Sequence, residues 1–218
     1  MPEVLKIDLQ NPDKSLITKA VHILEGGGVI AYPTETFYGL GADGHNETAI
    51  ERIFHIKGRD RKNPLSVIIG DMSILRNLVQ EIPEVAARLM ETFWPGALTL
   101  VFRASQNVSP RLTAGSEKIG IRISSHLIAT ALAKALQQPI TATSANHSGA
   151  SECTSAHEVI ECIGHQIDVV IDGGLTPGGA GSTIIDITSN PPMILREGAI
   201  SQVVIHKTLQ TVKKGNHR

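Results

Sequence analysis

The sequence contains few cysteines and few aromatic residues. Its two cysteines, Cys153 and Cys162, offer neither a disulfide framework nor a CxxC pair of metal ligands, which is typical of a reducing cytosol. Aromatic residues make up only 3% of the 218 residues, which argues against a surface that stacks on nucleic-acid bases. The composition therefore disfavours a disulfide-rich secreted protein and a base-stacking nucleic-acid binder.

A strong net charge and long apolar runs are also absent. The formal net charge is −1, so any positively charged surface must come from local clustering. No apolar run approaches the ~20 residues of a membrane span. The amino-terminal residues also lack the apolar centre of a signal peptide. We therefore expect a cytoplasmic protein without membrane association.

The hydrophobic pattern instead predicts alternating strands and helices. Strands are predicted at 28–32, 65–69, 97–102, 118–123, 139–143, 167–171, 183–187 and 193–196. Helices are predicted at 15–25, after a cap at Asn46, at 72–79, 83–93 and 127–136, and from a cap at Thr154 or Ser155 to 163. Because several neighbouring strands could pair as hairpins, the expected class is α/β, with a mixed twisted β-sheet covered by helices.

No repeat, low-complexity linker or shift in composition divides the chain. The hydrophobic content of 41% is sufficient for a sizeable core. We therefore predict a single domain over residues 1–218, with a core at about 13–200. A basic carboxy-terminal tail at about 207–218 is expected to be frayed.

Three motifs resemble known sites but lack their requirements. The glycines of 39–44 match G-x-G-x-x-G, but they do not directly follow the predicted strand, so a tight turn is favoured over a dinucleotide-binding loop. His157, Glu161, Cys162 and His165 could ligate a metal, but a helix end at Gly164 would separate them, and a solvated surface is favoured. Ser144 lacks the G-x-S-x-G elbow of a serine nucleophile.

A cationic segment is more informative. Lys57, Arg59, Arg61 and Lys62 follow the helix capped by Asn46, and we expect them to lie on a polar turn where truncation costs little packing. Such a run can be a solvated face. However, polar turns also end several predicted strands, where open α/β sheets bind ligands. These turns include Thr34, Ser144 and Ser182.

Two arginines support an anionic ligand. Arg122 and Arg196 lie within apolar strands, where an unpaired guanidinium would be costly. Either structural carboxylates or a bound anion must therefore pair with them. A triphosphate and a carboxylate are natural partners for such a set of cations.

Six segments occur in an order that resembles the YrdC-like family, which includes threonylcarbamoyl-adenylate synthases. They are YPTETFYGLGA, KGRDRKNPL, WPGALTLV, TSANHSG, GSTIIDIT and LREGAI. The resemblance covers about residues 13–200 and includes the pairs Lys57/Arg59 and Ser144/Asn146, which related branches lack. The chain is similar to the short form without an additional carboxy-terminal domain. A YrdC-like fold with a concave basic ligand cleft is implied.

The resemblance implies a nucleotidyltransferase that makes threonylcarbamoyl-adenylate and pyrophosphate from L-threonine, bicarbonate (or CO2) and ATP, with Mg²⁺ arriving with ATP. Other proteins would then transfer the threonylcarbamoyl group to an adenosine of tRNA. By motif matching, Lys57 and Arg59 are the implied catalytic residues. The implied threonine or carbamate contacts are Thr34, Arg122, Ser144 and Ser182. The implied ATP contacts are Arg59, Asn63, Lys118, Asn146, Thr154 and Arg196, and no metal ligand from a protein side chain is implied.

Two positions depart from the family pattern. Ile68 stands where the family has a histidine that contacts threonine, and Ser124 stands where the family has proline after Arg122-Ile123. Isoleucine cannot donate a hydrogen bond, so weaker discrimination between threonine and serine is expected if position 68 faces the site. The departures leave room for a paralogue that uses a different amino or carbamoyl donor.

Two further interpretations remain open. A concave basic surface could bind double-stranded RNA or tRNA by shape, either as the primary role or as weak affinity beside an enzyme activity. The second interpretation is a carbamoyl-transfer domain like those of hydrogenase maturation, although those domains are parts of larger chains.

Overall fold

A computed structural model describes residues 1–210 of the chain, which form strands and helices interspersed along the sequence. The strands are β1 (Glu3–Lys6), β2 (Ile30–Pro33), β3 (Tyr38–Gly41), β4 (Val67–Ile68), β5 (Leu98–Arg103), β6 (Lys118–Arg122), β7 (Ile140–Thr141), β8 (Thr143–Ser144), β9 (Val169–Asp172), β10 (Thr183–Asp186) and β11 (Met193–Arg196). The helices are α1 (Lys14–Glu25), α2 (Glu47–Lys57), α3 (Met72–Leu78), α4 (Glu84–Phe93), α5 (Pro110–Thr113), α6 (Leu127–Leu136), α7 (Ala156–Ile163) and α8 (Gln202–Gln210).

These strands form two mixed sheets. The first has the order β1-β9-β2-β3-β8, in which β1, β9 and β2 are parallel and β3 runs antiparallel to both of its neighbours. The second has the order β11-β10-β5-β6-β4-β7. Its pairs β10–β5 and β6–β4 are parallel, and the other three pairs are antiparallel. The division of the strands between two sheets was not specified by the sequence pattern.

The helices begin and end where short polar residues and glycine satisfy their terminal backbone groups. The Asn46 side chain accepts a hydrogen bond from the backbone of Ala49 at the start of α2. Gly58 ends this helix in the left-handed conformation, with φ of 58°. The side chain of Ser155 caps α7 through the backbone N–H of Glu158. The predicted caps at Asn46 and Ser155 are therefore confirmed.

Apolar side chains form two buried clusters. In one, the apolar faces of α1 and α6 cover the first sheet, where Ile30 and Tyr32 of β2 pack beside Val169 and Ile171 of β9. The larger cluster lies beneath the second sheet and includes side chains of α2, α3, α4 and α7. The second sheet is thus apolar on one face, and its other face is available for a site.

Strand β3 includes Gly39 and Gly41, where the sequence predicted a tight turn, whereas Gly44 does lie in a turn. It is paired with β2, and the ring of Tyr32 lies across the strand pair. A Cβ atom at Gly39 or Gly41 would come within 3.2 Å or 2.7 Å of that ring. Gly39 and Gly41 therefore make room for an aromatic side chain on the neighbouring strand and do not turn the chain.

The mixed α/β class is confirmed, and three further elements lie in segments without a predicted one. They are β1, which pairs with β9, the short helix α5 in a predicted loop, and α8, whose last residues reach into the predicted tail. The rest of that tail, residues 211–218, lies outside the described residues. Among residues 1–210, no helix is long and apolar enough to cross a membrane.

Candidate functional site

A cavity of about 490 Å³ lies between the two sheets. Strands β5, β6 and β10 of the second sheet supply one wall, and β3 and β8 at the edge of the first sheet supply another. The predicted site residues that line the cavity are Thr34, Arg59, Lys118, Arg122, Ser144, Ser182 and Arg196. The cavity thus gathers side chains from segments that are far apart in the chain.

Strand β6 runs along the cavity with alternate residues facing it. Lys118, Gly120 and Arg122 line the cavity, whereas Ile119 and Ile121 are buried in the larger apolar cluster. With a rise of ~3.3 Å per residue, the two cationic positions are about 13 Å apart along the strand. The glycine between them leaves the cavity floor open, since a Cβ there would lie 2.6 Å from Ser66 Oγ.

Arg122 is buried and paired with a carboxylate. Its side chain is 7% exposed, and Nη1 donates to Glu35 Oε1 at 2.9 Å. The other carboxylate oxygen of Glu35 accepts a hydrogen bond from Ser124 Oγ. The sequence left open whether Arg122 pairs with a structural carboxylate or with a bound anion. The structure provides the carboxylate of Glu35, and Arg122 also faces the cavity.

Arg196 lies on the edge strand β11, where the residue as a whole is exposed but its guanidinium is partly buried against Ser182. This corrects the expectation that its guanidinium lies within an apolar strand. Its Nη2 donates to the Ser182 carbonyl at 2.8 Å and lies 3.3 Å from Ser182 Oγ. That hydroxyl is also 2.9 Å from Thr99 Oγ1. A chain of hydroxyls therefore connects Arg196 to the cavity wall.

Arg59 and Arg196 together make one end of the cavity positive. Partial burial, followed by the nearby charge of Arg196, lowers the pKa of Arg59. Burial also lowers the pKa of Arg196, against the favourable charge of Glu152. Because two guanidinium groups repel each other there, an anion bound between them would be stabilised.

Lys118 lies at another part of the cavity beside Asp186. Its Nζ donates to Asp186 Oδ2 at 2.8 Å, and the other carboxylate oxygen accepts from the backbone and hydroxyl of Thr188. Burial raises the pKa of Asp186, but these hydrogen bonds outweigh it and the net pKa is lowered. The carboxylate is thus held ionised and orients Lys118.

Lys57 differs most from its predicted place. It is the last residue of α2 and only 3% exposed, so it does not lie on a solvated turn. Its Nζ donates to the carbonyls of Ser144 and Asn146, at 2.6 and 2.8 Å, and to Asn146 Oδ1 at 3.0 Å. Burial, followed by the charge of Arg59, lowers the pKa of Lys57 to about 8. Truncating this residue would therefore cost stability, contrary to the expectation from sequence.

Three predicted ATP contacts do not line the cavity. The Asn146 side chain is occupied by Lys57, Ser144 and the carbonyls of residues 150 and 151. Asn63 is exposed, and its carbonyl accepts from Arg59. The hydroxyl of Thr154 lies beside the Glu158 carboxylate. Lys57, Asn63, Asn146 and Thr154 thus surround the site in this structure without facing the cavity.

Ile68 is also absent from the cavity lining. It is fully buried in the apolar cluster beneath α1 and α6, although its strand neighbour Arg122 faces the cavity. The departure from the family histidine therefore removes no polar group from the cavity as the structure forms it.

The sequence did not identify several residues that line the cavity. Thr99, Gly120 and Asp186 lie within apolar strands, and their role follows only from the alternation of faces once the sheet is assembled. The solvated surface favoured for His157 and Glu161 agrees with the structure, since both side chains are largely exposed on α7. Residues 1–210 contain no cluster of three or more metal-ligating side chains.

The fold and the cavity define a class of protein. It is a mixed α/β protein whose two sheets enclose a cationic, hydroxyl-lined cavity suited to an anionic ligand. The chain belongs to the Sua5/YciO/YrdC family, because the family model described as "Telomere recombination" matches residues 22–198.

Two curated relatives carry the name threonylcarbamoyl-AMP synthase. The protein of Pyrococcus abyssi is 42% identical over 194 residues, which cover 89% of this chain and 57% of the relative. The protein of Bacillus subtilis is 41% identical over 194 residues, covering 88% of this chain and 56% of the relative. The chain thus spans little more than half the length of these relatives.

Solved structures agree with the fold. The P. abyssi Sua5 protein complexed with L-threonine superposes with a TM-score of 0.91 at 40% identity, over 94% of this chain and 60% of that one. Escherichia coli YciO gives a TM-score of 0.86 at 33% identity, over 94% of this chain and 99% of that one. The YrdC-like fold expected from the sequence motifs is therefore confirmed.

Proposed function

We propose that this chain is a threonylcarbamoyl-adenylate synthase, which uses L-threonine, bicarbonate (or CO2) and ATP and releases pyrophosphate. The observation that carries the proposal is the arrangement of the cavity, in which Arg122 is separated by the length of β6 from Lys118 and faces the same space as Arg59 and Arg196. The curated relatives named as synthases support it.

The cations suit the two charged ends of the substrates. Arg122 has donors left beyond its bond to Glu35 and would bind the threonine carboxylate, with the hydroxyls of Thr34 and Ser182 nearby. Arg59 and Arg196 would bind the phosphates, where a polyanion relieves their mutual repulsion. Lys118 would bind the nucleotide from the position fixed by Asp186.

The chemistry needs positioning and charge neutralisation. The threonine amine captures CO2, and an oxygen of the resulting carbamate attacks the α-phosphorus and displaces pyrophosphate. Since the reacting groups are already nucleophilic, no covalent protein nucleophile is required, and electrostatic stabilisation supplies the rate enhancement. Ser182 would connect the threonine contacts to the phosphate contacts, because its hydroxyl accepts a hydrogen bond from Arg196.

Mg²⁺ would accompany ATP. It commonly binds through one or two carboxylates and substrate phosphates, and this matches a cavity lined by Glu152 and Asp186. Since Asp186 is engaged by Lys118 and Thr188, Glu152 is the carboxylate available to the metal complex.

The product is a reactive mixed anhydride, so a transferase must consume it. We include in the proposal that separate proteins transfer its threonylcarbamoyl group to tRNA and that the reaction takes place in the cytoplasm. The alternatives, an RNA-binding module or a paralogue with another donor, are not favoured by the relatives named as synthases.

The test is incubation with ATP, Mg²⁺, bicarbonate and each amino acid in turn, with products identified by mass spectrometry. We expect threonylcarbamoyl-adenylate and stoichiometric pyrophosphate with threonine, and neither when bicarbonate is removed. The matched variants Arg122→Met and Arg103→Met distinguish the cavity from general surface charge, because Arg103 is exposed at the end of β5. A folded protein that releases no pyrophosphate with threonine would refute the proposal.

A further inference from the structure

The carboxylate of Glu35 lies at the centre of a small buried network. Its Oε1 accepts from Arg122 Nη1 at 2.9 Å, and its Oε2 accepts from Ser124 Oγ. The Glu35 side chain is 14% exposed, and Ser124 is fully buried. The Ser124 hydroxyl oxygen also accepts from the backbone N–H of His126 at 3.1 Å. Both oxygens of the carboxylate and the serine hydroxyl are therefore fixed in place.

This network leaves part of the Arg122 guanidinium for a ligand. Among the contacts of residues 1–210, Nη1 is the one guanidinium nitrogen of Arg122 with a protein partner, namely Glu35. Arg122 lines the cavity, so the remaining N–H groups are available there. A guanidinium can bind a second carboxylate through its other edge, provided that its plane is correctly oriented.

We propose that Glu35 and Ser124 are positioning residues that orient Arg122 toward the carboxylate of the amino-acid substrate. This inference rests on the proposed function. Glu35 binds one nitrogen of the guanidinium, Nη1, and the hydrogen bond from Ser124 keeps the Glu35 carboxylate from rotating away. Neither residue lines the cavity, so each acts on the substrate through Arg122.

Ser124 adds a second contact to the Glu35 carboxylate, beside the one from Arg122. Glu35 lies in the loop between β2 and β3 of the first sheet, and Arg122 is the last residue of β6 in the second sheet, so their ion pair connects this loop to the end of β6. The added bond from Ser124 fixes that connection on the β6 side.

The test measures threonine binding by calorimetry and, separately, the KM for ATP in pyrophosphate release. The variants are Ser124→Ala, Glu35→Gln and the double variant, with Ser125→Ala as the control because Ser125 is exposed beside the network. We expect Ser124→Ala to weaken threonine binding about five- to tenfold, which is part of the value of one hydrogen bond to a charged group. The KM for ATP should stay within about twofold, since the nucleotide contacts lie elsewhere.

The double variant gives the sharper result. If Ser124 acts only through Glu35, the double variant should bind threonine no more weakly than Glu35→Gln alone. Wild-type affinity in Ser124→Ala would overturn the inference, as would additive losses in the double variant or equal losses for ATP and threonine. Thermal unfolding checks the fold, and Ser124→Cys, of similar size but a weaker donor, replaces Ser124→Ala if alanine unfolds the protein.

The failure of this inference and that of the proposed function are distinguishable. Weakened threonine binding in Ser124→Ala, together with a wild type that releases no pyrophosphate, would support the network and refute the synthase. Normal pyrophosphate release with unchanged threonine affinity in Ser124→Ala would refute the network alone.

Discussion

Lys57 and Arg59 are neighbours in sequence, yet replacing each with methionine should have different consequences. Lys57→Met removes three hydrogen bonds. The Ser144 carbonyl keeps its bond from the Asn146 backbone N–H, and Asn146 Oδ1 keeps its bond from Ser144 Oγ, so the Asn146 carbonyl is the acceptor that loses its donor. Each lost hydrogen bond from a charged donor costs about 1.5–3 kcal/mol, and one buried acceptor left unsatisfied costs about 1–3 kcal/mol. Removing a desolvated ammonium recovers part of this, so we expect a net loss of roughly 2–3 kcal/mol.

Arg59→Met should leave the fold almost unchanged. The guanidinium donates to the carbonyls of Asn63 and Pro64 in exposed positions, and such contacts contribute within about 0.5 kcal/mol. For a chain of this size, the melting temperature should fall by about 5–10 °C for Lys57→Met and by no more than about 2 °C for Arg59→Met.

Both variants should nevertheless lose pyrophosphate release. Arg59→Met removes a charge that lines the cavity and should lower the rate about a hundredfold. Lys57→Met removes the hydrogen bonds that hold the Ser144–Asn146 turn and should lower the rate of pyrophosphate release by at least about tenfold. Differential scanning fluorimetry and a pyrophosphate assay on the same preparations check both outcomes. A Lys57→Met protein that melts with the wild type would show that the three hydrogen bonds do not support the fold.

Three further predictions concern the cavity and its surroundings. Gly120→Ala would place a Cβ 2.6 Å from Ser66 Oγ and 3.2 Å from Thr99, so the KM for threonine and for ATP should each rise about tenfold. Unchanged KM values would show that the substrates do not approach the part of the cavity floor at Gly120. Ile68→His should lower the free energy of unfolding in urea by about 1–3 kcal/mol, because it buries an imidazole ring without a hydrogen-bond partner. The ratio of turnover with threonine to turnover with serine should stay constant, and a stronger preference for threonine would place position 68 in the site. Pyrophosphate release should decline as pH rises through about 8, because Lys57 loses a proton there and with it one of its three donated hydrogen bonds; a flat profile from about pH 7 to 9.5 would contradict this.

The sequence allowed the elements and much of the site to be predicted because those signals are local. Asn46 and Ser155 are recognisable caps whatever the rest of the chain does, and the apolar spacing of α6 is visible within ten residues. Arg59 and Ser182 were placed at the site from polar turns at strand ends and from family motifs, and both line the cavity.

The remaining features depend on contacts between distant segments. Glu35 reaches Arg122 across 87 residues, and Lys57 reaches Ser144 across 87 residues. No local pattern predicts that Arg122 faces the cavity whereas Lys57 donates hydrogen bonds to the Ser144–Asn146 turn. Tyr32 likewise explains the glycines of β3 only when the two strands are already paired.

The placement of Lys118 and Arg122 on one strand has a consequence for how this fold can vary. Inserting one residue between them would turn one of the two side chains into the apolar cluster, because successive residues of a strand point to opposite faces. Inserting two residues would keep both in the cavity and move them about 7 Å further apart. The separation of the two cations along β6 can therefore change only in steps of two residues, and a smaller adjustment to ligand length would have to come from the loops around the cavity.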